Sequence, residues 1–396
     1  MTLPRTRNAA LAAAGALLLL ASHLQAQTSA RAELDWSALA DRMVRSLALT
    51  PGERVLLVGH PGFAPELVRP LRLAVARAGG VDMGHLEVLS HPWPGGTDGA
   101  ALARSAEAAR ETFRDMYDGR VDATIFLPGA TSDHPAYRAI QDLLNAGRGR
   151  VIHFHWEANG SVVTIPGQPV PPAYEVDLAY QRAVLETDYR DLAARQRRFE
   201  AAMRAGEVRV TTPSGTDIRF RIGDRPVNLQ DGDASAARME RARILIDREI
   251  ELPAGAVRVA PLEETVQGRI VFPLSTWRGR TVRDLALDFE DGTIVAVTAE
   301  SGADAVEAEL DAAGEGARRF REFALGLNPL LAVPEEGRWI PYYGYGAGVV
   351  RLSIGDNLEL GGAVGGGYYR WNFFEDASVW VGGERWVDGG RLVMGS

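Results

Sequence analysis

Strand and helix patterns alternate along the first half of this 396-residue chain, and this alternation limits the possible folds more than any other feature. Short apolar runs bounded by Gly and Pro predict strands, and amphipathic spacing predicts the helices between them. The predicted strands are residues 54–60, 81–89, 123–129 and 151–156, and the predicted helices are residues 65–79, 100–118 and 135–146. Alternation of this kind favours a parallel sheet covered by helices on both faces.

The pattern of the sequence changes near Gly206, from long helical segments to short strands. A proline-rich stretch at residues 166–172 and a long helical pattern at 174–205 precede this point. Short strand patterns, glycine turns and aromatic residues follow it. We therefore predict an α/β protein of two domains. The N-terminal domain, residues 27–205, is a parallel, Rossmann-like α/β unit, and the C-terminal domain, residues 206–396, is mixed α+β.

Residues 1–26 have the layout of a secretory signal peptide. Arg5 and Arg7 supply positive charge, residues 9–21 form an apolar run, and Ala26 is a small residue suited to cleavage. The run is short for a helix that crosses a bilayer, which disfavours the alternative of an N-terminal anchor. We expect the mature chain to be periplasmic or secreted, without insertion in a membrane.

The basic side chains of this protein are of one type. All 43 are arginine, and the chain contains no cysteine. The chain therefore has no Schiff-base lysine, no phosphate-loop lysine, no thiol nucleophile and no disulfide. The formal net charge is −9. This acidic balance argues against nucleic acid as a partner, because phosphate binding needs a basic surface.

The second half of the chain carries a series of ordered motifs. Residues 208–220 contain Thr-Thr-Pro-Ser-Gly-Thr-Asp, and residues 318–329 end in Glu-Phe-Ala-Leu-Gly-Leu-Asn-Pro. Further motifs lie at residues 251–261, 268–272, 287–295, 348–355 and 370–372. In this order they resemble the thermophilic aminopeptidase family, metallopeptidases of the aminopeptidase T and aminopeptidase S type. The resemblance implies that family's fold and a homodimer, for which the aromatic-rich residues 339–371 are the candidate contact surface.

Most of the metal ligands implied by this resemblance are replaced. The family holds two metal ions with two Glu, two His, one Tyr and one Asp, and only the second Glu is retained here. In chain order, the corresponding residues are Ala256, Glu322, Arg351, a residue near Leu358, Arg370 and Asn372. One carboxylate cannot hold and neutralise two hydrolytic metal ions. We therefore expect no metal at the familial site and no cofactor, with Glu322 as a relict of the catalytic residues.

Glu322 needs a new partner in place of the metal ions. A buried carboxylate is stable when it is paired, and a guanidinium can donate two parallel hydrogen bonds to it. We predict an ion-pair cluster of Glu322 with Arg351 or Arg370, with Asn372 and Ala256 nearby. The alternative is that one arginine stays unpaired and binds an anionic group, such as a peptide C-terminus.

Histidines gather at the ends of the predicted strands in the first half. His153, His155 and Glu157 occupy alternate positions, which share one face of a strand. Ligands of open parallel sheets bind at the carboxyl ends of the strands, so these residues are a candidate site for zinc or another divalent metal. The alternative is that they are ordinary strand-end residues. The other histidines next to these strands are His60, His91 and His134.

Three functions remain open from the sequence. The first is a pseudoenzyme that keeps the aminopeptidase fold and binds a peptide or small molecule. The second is an active aminopeptidase or other hydrolase, with a rebuilt site or with a site based on the N-terminal histidines. The third is a structural or interaction protein of the cell envelope.

Overall fold

The computed structural model of the protein describes residues 31–88, 99–130, 134–156 and 161–393. The predicted signal peptide and the candidate residues His91 and Glu157 lie outside these ranges. The predictions made for them therefore stay predictions. In the described ranges, helices pack on one parallel sheet and on two large antiparallel sheets.

The first half forms the predicted alternating α/β layer. Its strands are β1 (Arg54–Gly59), β2 (Val81–Glu87), β3 (Ala123–Phe126), β4 (Val151–Phe154) and β5 (Val163–Thr164). Its helices are α1 (Trp36–Leu47), α2 (Pro65–Arg77), α3 (Gly99–Tyr117), α4 (Pro135–Asn145), α5 (Ala173–Glu186) and α6 (Tyr189–Ala205). Strands β3 and β4 are buried along their whole length, as expected for strands with helices on both faces.

Two helices of the first layer begin where a side chain caps their first amides. Asp35 accepts a hydrogen bond from the amide of Ala38 at the start of α1. His134 accepts one from the amide of Ala136 at the start of α4, which then continues with Pro135 in its first turn. These residues satisfy amides that have no partner inside the helix. The predicted start of α4 at Pro135 therefore has a local cause.

The second half is rich in antiparallel strands. Its first strands are β6 (Val208–Thr211), β7 (Asp217–Phe220), β8 (Asn228–Leu229), β9 (Glu249–Leu252), β10 (Ala256–Val259), β11 (Gln267–Trp277), β12 (Arg280–Glu290) and β13 (Thr293–Thr298). The later strands are β14 (Phe320–Gly326), β15 (Trp339–Ile340), β16 (Val350–Gly355), β17 (Tyr369–Phe374), β18 (Ser378–Val381), β19 (Glu384–Asp388) and β20 (Arg391–Leu392). Its helices are α7 (Ala236–Met239) and α8 (Ala303–Ala313).

These strands form three main sheets in the described part of the chain. Sheet I is parallel, in the order β2-β1-β3-β4-β9. Sheet II is antiparallel, in the order β17-β16-β14-β10-β8. Sheet III is antiparallel, in the order β13-β12-β11-β7-β6-β18-β19-β20, and β5 pairs with β15 in a separate ribbon. The predicted class, a parallel α/β layer with a mixed α+β part, is confirmed.

The parallel sheet takes one strand from beyond the predicted domain boundary at residue 206. Strand β9 pairs with β4 so that Ile250 lies opposite Ile152. This pairing covers the edge of the buried strand β4, which would otherwise expose unpaired backbone groups. The division into residues 27–205 and 206–396 stays a prediction, but sheet I contains strands from both sides of this boundary.

Aromatic residues join α6 to sheets II and III. The ring of Phe199 lies 6.2 Å from Phe323 and 5.1 Å from Trp386, and Phe220 lies 5.2 Å from Phe323. All four residues are buried. One face of sheet II thus packs in this hydrophobic core. The site described below lies on its other face.

The aromatic-rich residues 339–371 do not form a continuous surface. Trp339, Tyr342 and Tyr345 are buried, and the rings of Tyr180 and Tyr342 pack edge to face at 5.5 Å. Tyr369, in contrast, is more than half exposed. The assignment of this segment as a dimer contact surface is therefore wrong for its buried part, because these rings fill the core. The homodimer itself stays a prediction.

Candidate functional site

A cavity of about 430 Å³ lies between the carboxyl end of sheet I and one face of sheet II. The end of β4 and strand β9 contribute His153, His155, Glu249 and Glu251. Sheet II contributes Arg258, Arg321, Tyr369 and Trp371. The other lining residues are Ala130, Tyr137, Gln141, Ile246, Tyr343 and Glu359. This is the position at which open parallel sheets bind ligands.

Glu322 is fully buried in strand β14 of the sheet II wall. Its Oε1 atom accepts a hydrogen bond from Arg258 Nε at 2.6 Å and another from Arg351 Nη2 at 2.8 Å. The hydroxyl of Ser353 lies 3.5 Å from the other carboxylate oxygen. The predicted hydrogen bond between Glu322 and Arg351 is therefore present, and Arg258 adds a second one.

The arginines fix the charge of Glu322. Burial by itself would raise the pKa of this carboxyl, but the charges of Arg258, Arg351 and Arg321 outweigh burial and hold the pKa well below its usual value. Glu322 is therefore ionised at every physiological pH. Arg351 also donates to the Tyr343 carbonyl at 3.2 Å and lies 4.8 Å from the centre of the Trp371 ring. Its bonding partners are groups of the protein itself.

Two arginines of this wall are not predicted from the sequence. Arg258 lies two residues after Ala256 in β10, so both project from the same face of the strand. This two-residue spacing was the sequence signal from which Arg258 could have been predicted to join the site. Arg321 has no such signal, because β14 contains a bulge: Phe320 pairs with Ile354 and Glu322 with Ser353, which leaves Arg321 as an extra residue.

The bulge brings Arg321 to the cavity beside Glu322. Arg321 is buried and pairs with the carboxylate of Glu359, and its guanidinium lies 5.1 Å from the centre of the Tyr369 ring. In an unbulged strand, adjacent residues would project from opposite faces. The irregular pairing therefore explains how two neighbouring charged residues belong to one cluster.

Arg370 and Asn372 are not part of this cluster, which corrects the predicted site. Strand β17 pairs Trp371 with Ser353, so Trp371 shares a face with Glu322. Arg370 and Asn372 flank Trp371 and project from the opposite face, since side chains alternate along a strand. Asn372 donates to the Leu352 carbonyl at 3.1 Å.

Arg370 has partners of its own on that opposite face. It contacts Glu309 at 3.3 Å and donates to the Thr276 carbonyl at 2.7 Å. Its guanidinium lies 3.7 Å from the centre of the Trp277 ring. Arg370 and Asn372 are therefore separated from Glu322 by sheet II, and the predicted contact of Arg370 with Glu322 is absent.

The structure brings His153 and His155 together, as the alternation predicts. Their ring centres are 3.4 Å apart. Nδ1 of His153 lies 2.8 Å from Oε1 of Glu249, which also accepts a hydrogen bond from the Tyr137 hydroxyl at 2.8 Å. The alternate residues on the other side, Ile152, Phe154 and Trp156, are buried in the core.

Both imidazoles are neutral at physiological pH. Burial lowers the pKa of His153 to about 4, against the opposing charge of Glu251. Burial and the neighbouring His153 lower the pKa of His155 to about 3. Neutral imidazole can accept a hydrogen bond or bind a metal. His60 and His134 do not line this cavity; His60 accepts a hydrogen bond from the Gly62 amide, and His134 caps α4.

The residues at the familial position do not fit two metal ions. Ala256 supplies no ligand atom, and guanidinium groups already hold the carboxylate of Glu322. Leu358 is more than half exposed and offers only an alkyl group. Within the described ranges, no group of three or more His, Asp or Glu side chains is arranged to hold a metal. A metal on His153, His155 and Glu157 stays a prediction, since Glu157 lies outside those ranges.

Comparison with known proteins places this geometry in a familiar fold. Residues 187–331 match the model of a family described as thermophilic metalloprotease (M29). The structure of 2,5-dihydroxypyridine dioxygenase from Pseudomonas putida KT2440 is similar, with 15% identity, a TM-score of 0.61, and coverage of 91% of this chain and 97% of that one. Wild-type AmpT from Thermus thermophilus is also similar, with 19% identity, a TM-score of 0.57, and coverage of 91% and 99%. A search of curated proteins found no match.

The matched family segment includes both Arg258 and Glu322, which belong to the charged cluster. The two solved structures share the fold over 91% of this chain. The sequence motifs and the fold thus agree. The predicted resemblance of this chain to the thermophilic aminopeptidase family is therefore confirmed.

Proposed function

We propose that this protein is a divergent M29-type protein that has lost two-metal peptide hydrolysis and binds a small molecule or peptide in the cavity between sheets I and II. The observation that carries this proposal is the pairing of Glu322 with Arg258 and Arg351. The carboxylate that is retained from the family's metal site accepts hydrogen bonds from two guanidinium groups of the same chain.

A metal ion at this place would compete with those two cations. Removing one partner of a buried ion pair costs about 3–5 kcal/mol, because it leaves an uncompensated charge in the interior. A hydrolytic metal must also activate a water molecule and polarise the scissile carbonyl, which requires several correctly placed ligands. Among the positions that correspond to the family's metal ligands, only Glu322 supplies a carboxylate ligand. Its role here is therefore structural.

The cavity itself supports a binding role. Its volume of about 430 Å³ lies within the range of small-molecule sites, roughly 300–1,000 Å³. Four aromatic side chains line it together with five charged side chains and two histidines, so its wall offers both flat surfaces and polar partners to a ligand. The alternative in which Arg351 or Arg370 is left unpaired to bind an anion is not supported, because both are paired with other residues.

Hydrolysis of aminoacyl p-nitroanilides tests this proposal. We expect no turnover with or without added zinc or cobalt. Turnover that depends on metal and stops with a chelator would refute the proposal. The Glu322→Gln variant is the control, because activity that survives this change does not come from the familial site.

A metal-independent hydrolase is a second candidate, favoured by the contact of His153 with Glu249. A carboxylate bonded to Nδ1 orients a neutral imidazole so that its other nitrogen can act as a general base. This candidate predicts turnover of p-nitrophenyl esters that is lost in His153→Gln and kept in His60→Gln. Equal activity in both variants would exclude it.

We also propose a periplasmic or secreted location and a homodimer. The pattern of residues 1–26 supports the location. Across the described ranges, no helix is long and apolar enough to cross a membrane. Fractionation of cells that express the full chain tests the location, and recovery of the uncleaved chain in the cytoplasm would contradict it.

A further inference from the structure

Strand β17 is an edge strand of sheet II. It pairs with β16 on one side only, and the pairing runs without a bulge. At the end of this ladder the Asp356 amide donates to the Tyr368 carbonyl at 2.7 Å, so these two residues form a hydrogen-bonded pair. Bonded and non-bonded pairs alternate along an antiparallel ladder. The residues of β17 whose backbone groups point away from β16 are therefore Tyr369, Trp371 and Phe373.

The outward backbone groups of these three residues are unpaired. Within the described ranges, their amides and carbonyls make no hydrogen bond on the open side of β17. Their side chains share the cavity face of the strand, where Tyr369 is more than half exposed and Trp371 and Phe373 are partly buried. A row of unpaired backbone groups beside aromatic side chains is a template to which another strand can add.

Both edges of sheet I, in contrast, carry features that hinder the addition of a strand. At the β9 edge, the Gln230 side chain donates to the Glu249 carbonyl at 3.1 Å and accepts from the Glu251 amide at 2.8 Å. At the β2 edge, the pairing with β1 is irregular and Gly84 has a φ of +91°. Bulges and capped backbone groups are common protections of an edge. The regular strand β17 has neither of them.

The β17 edge is complementary to itself. If a two-fold axis passes beside Trp371, this residue lies opposite Trp371 of the partner subunit, and Tyr369 lies opposite Phe373 of the partner subunit. Every outward amide and carbonyl of the three residues then has a partner, as in a regular antiparallel ladder. Aromatic side chains also lie opposite one another on one face, which stabilises a strand pair. A second copy of this chain therefore satisfies the edge.

The charge of Arg370 selects this register from its neighbours. An axis beside Arg370 would place two guanidinium groups directly opposite each other, which destabilises a strand pair. An axis beside Asn372 would place Tyr369 opposite a residue beyond the end of β17. The axis beside Trp371 avoids both problems, because Arg370 then lies opposite Asn372 of the partner subunit. Each Arg370 also keeps its contact with Glu309 of its own chain, at 3.3 Å.

We propose that two copies of this chain pair antiparallel along β17, with Trp371 beside the two-fold axis, so that their sheets II form one continuous sheet. This inference rests on the proposed homodimer and names its contact surface. Tyr369 and Trp371 also line the cavity. Phe373 of the partner subunit, opposite Tyr369, therefore lies at the rim of this cavity, and each cavity takes part of its rim from the other subunit.

Cysteine variants of the full chain test this register. The natural chain contains no cysteine, so a single introduced thiol can form a disulfide only between two chains. Trp371→Cys brings two thiols together across the axis, where Cα atoms about 5.5 Å apart suit a disulfide. After oxidation this variant should run as a covalent dimer on a non-reducing gel. Tyr369→Cys is the matched control and should stay a single chain, because the two thiols are about 13 Å apart along the strands.

Two further variants test the same contact without the loss of Trp371. Tyr369→Cys combined with Phe373→Cys should cross-link in this register, and it keeps the inference testable if Trp371→Cys does not fold. Tyr369→Pro removes one outward amide but no bond to β16, which an edge strand tolerates. It should sediment as a monomer at micromolar concentration, whereas Tyr369→Phe, which keeps the amide, should stay a dimer. Hydrogen exchange of the Trp371 and Phe373 amides should be slow in the wild-type dimer and fast in Tyr369→Pro.

The outcomes separate this inference from the proposed function. A dimer that is cross-linked neither by Trp371→Cys nor by the double variant would overturn the contact along β17 and leave the proposed homodimer standing. A wild-type monomer would overturn both. If these amides were protected in that monomer only after a peptide is added, the edge would bind an extended peptide instead. The aminoacyl p-nitroanilide assay tests the loss of peptide hydrolysis independently of all these results.

Discussion

Glu322 and Arg351 lie on neighbouring strands of sheet II, with Nη2 of the arginine 2.8 Å from Oε1 of the glutamate and both side chains almost fully buried. Arg258 Nε completes the arrangement at 2.6 Å from the same oxygen. The carboxylate of Glu322 thus takes part in an ion-pair cluster internal to the chain. The strength of the pair and the protonation states around it lead to the predictions below.

Glu322→Gln should destabilise the protein by about 3–5 kcal/mol, because it leaves two buried guanidinium groups without their shared carboxylate. Urea denaturation measures this change. The matched control is Asp217→Asn, which weakens an arginine pair at the surface, where both side chains are half exposed. The control should change the free energy of unfolding by about 1 kcal/mol or less. Equal effects of the two variants would contradict the structural role of Glu322.

Arg351→His together with Arg370→His should not restore metal binding or peptide hydrolysis. Arg370 projects from the opposite face of sheet II and contacts Glu309 and Trp277 there, so a histidine at this position cannot reach Glu322. Zinc titration by calorimetry, followed by an aminoacyl p-nitroanilide assay, checks the double variant. Gain of zinc-dependent hydrolysis would show that the assignment of faces in β17 is incorrect.

The protein should lose stability as the pH falls from about 6.5 toward 4. In the unfolded chain His153 and His155 take up protons near pH 6.5, the usual pKa of histidine. In the folded protein their pKa values are about 4 and 3, so the unfolded state binds more protons in this window and is favoured by acid. Between pH 6.5 and 5 each histidine should contribute a loss on the order of 2 kcal/mol.

Urea denaturation at several pH values in His155→Phe checks the source of this loss. The variant should lose less stability than the wild-type protein between pH 6.5 and 5, because one of the two buried titrating groups is gone. Identical pH dependence in the two proteins would show that His155 titrates in the folded state as it does in the unfolded chain. Glu322 adds a further loss of stability once the pH falls through the usual range of carboxyl groups, because the unfolded chain takes up that proton before the folded protein does.

The homodimer is tested by sedimentation velocity at micromolar concentration. We expect a species of twice the chain mass. A monomer would contradict this prediction. Trp339, Tyr342 and Tyr345 are buried within the subunit, so Tyr369, which is exposed, is the residue of the aromatic segment to substitute. Dissociation of the dimer in Tyr369→Ala would show that the dimer contact includes this residue.

Local patterns were sufficient to predict the first sheet. The strands at 54–60, 123–129 and 151–156 appear close to their predicted positions, because apolar runs and capping residues act over a few neighbours. Strand β9 could not be assigned to sheet I in the same way. Its pairing with β4 joins residues that are distant in the chain, and no local pattern specifies such a partner.

The sequence predicted part of the candidate site correctly, namely pairs of residues that lie on a common face of a strand or sheet. The proximity of His153 and His155 follows from alternation along one strand, and the pairing of Glu322 with Arg351 follows from the resemblance to the peptidase family. Arg321 was missed because a bulge breaks that alternation. Arg370 was expected near Glu322, but it projects from the other face of sheet II. Sequence alone does not reveal a bulge or the register at which two distant strands pair.

The metal content of the purified protein tests the central claim most directly. The chain should be purified from medium with zinc and cobalt, dialysed against metal-free buffer without chelator, and measured by plasma mass spectrometry. We predict far less than one ion per chain, and no change in that content for Glu322→Gln. Two ions per chain that disappear in Glu322→Gln would contradict the claim that arginines have replaced the metal ions of the familial site.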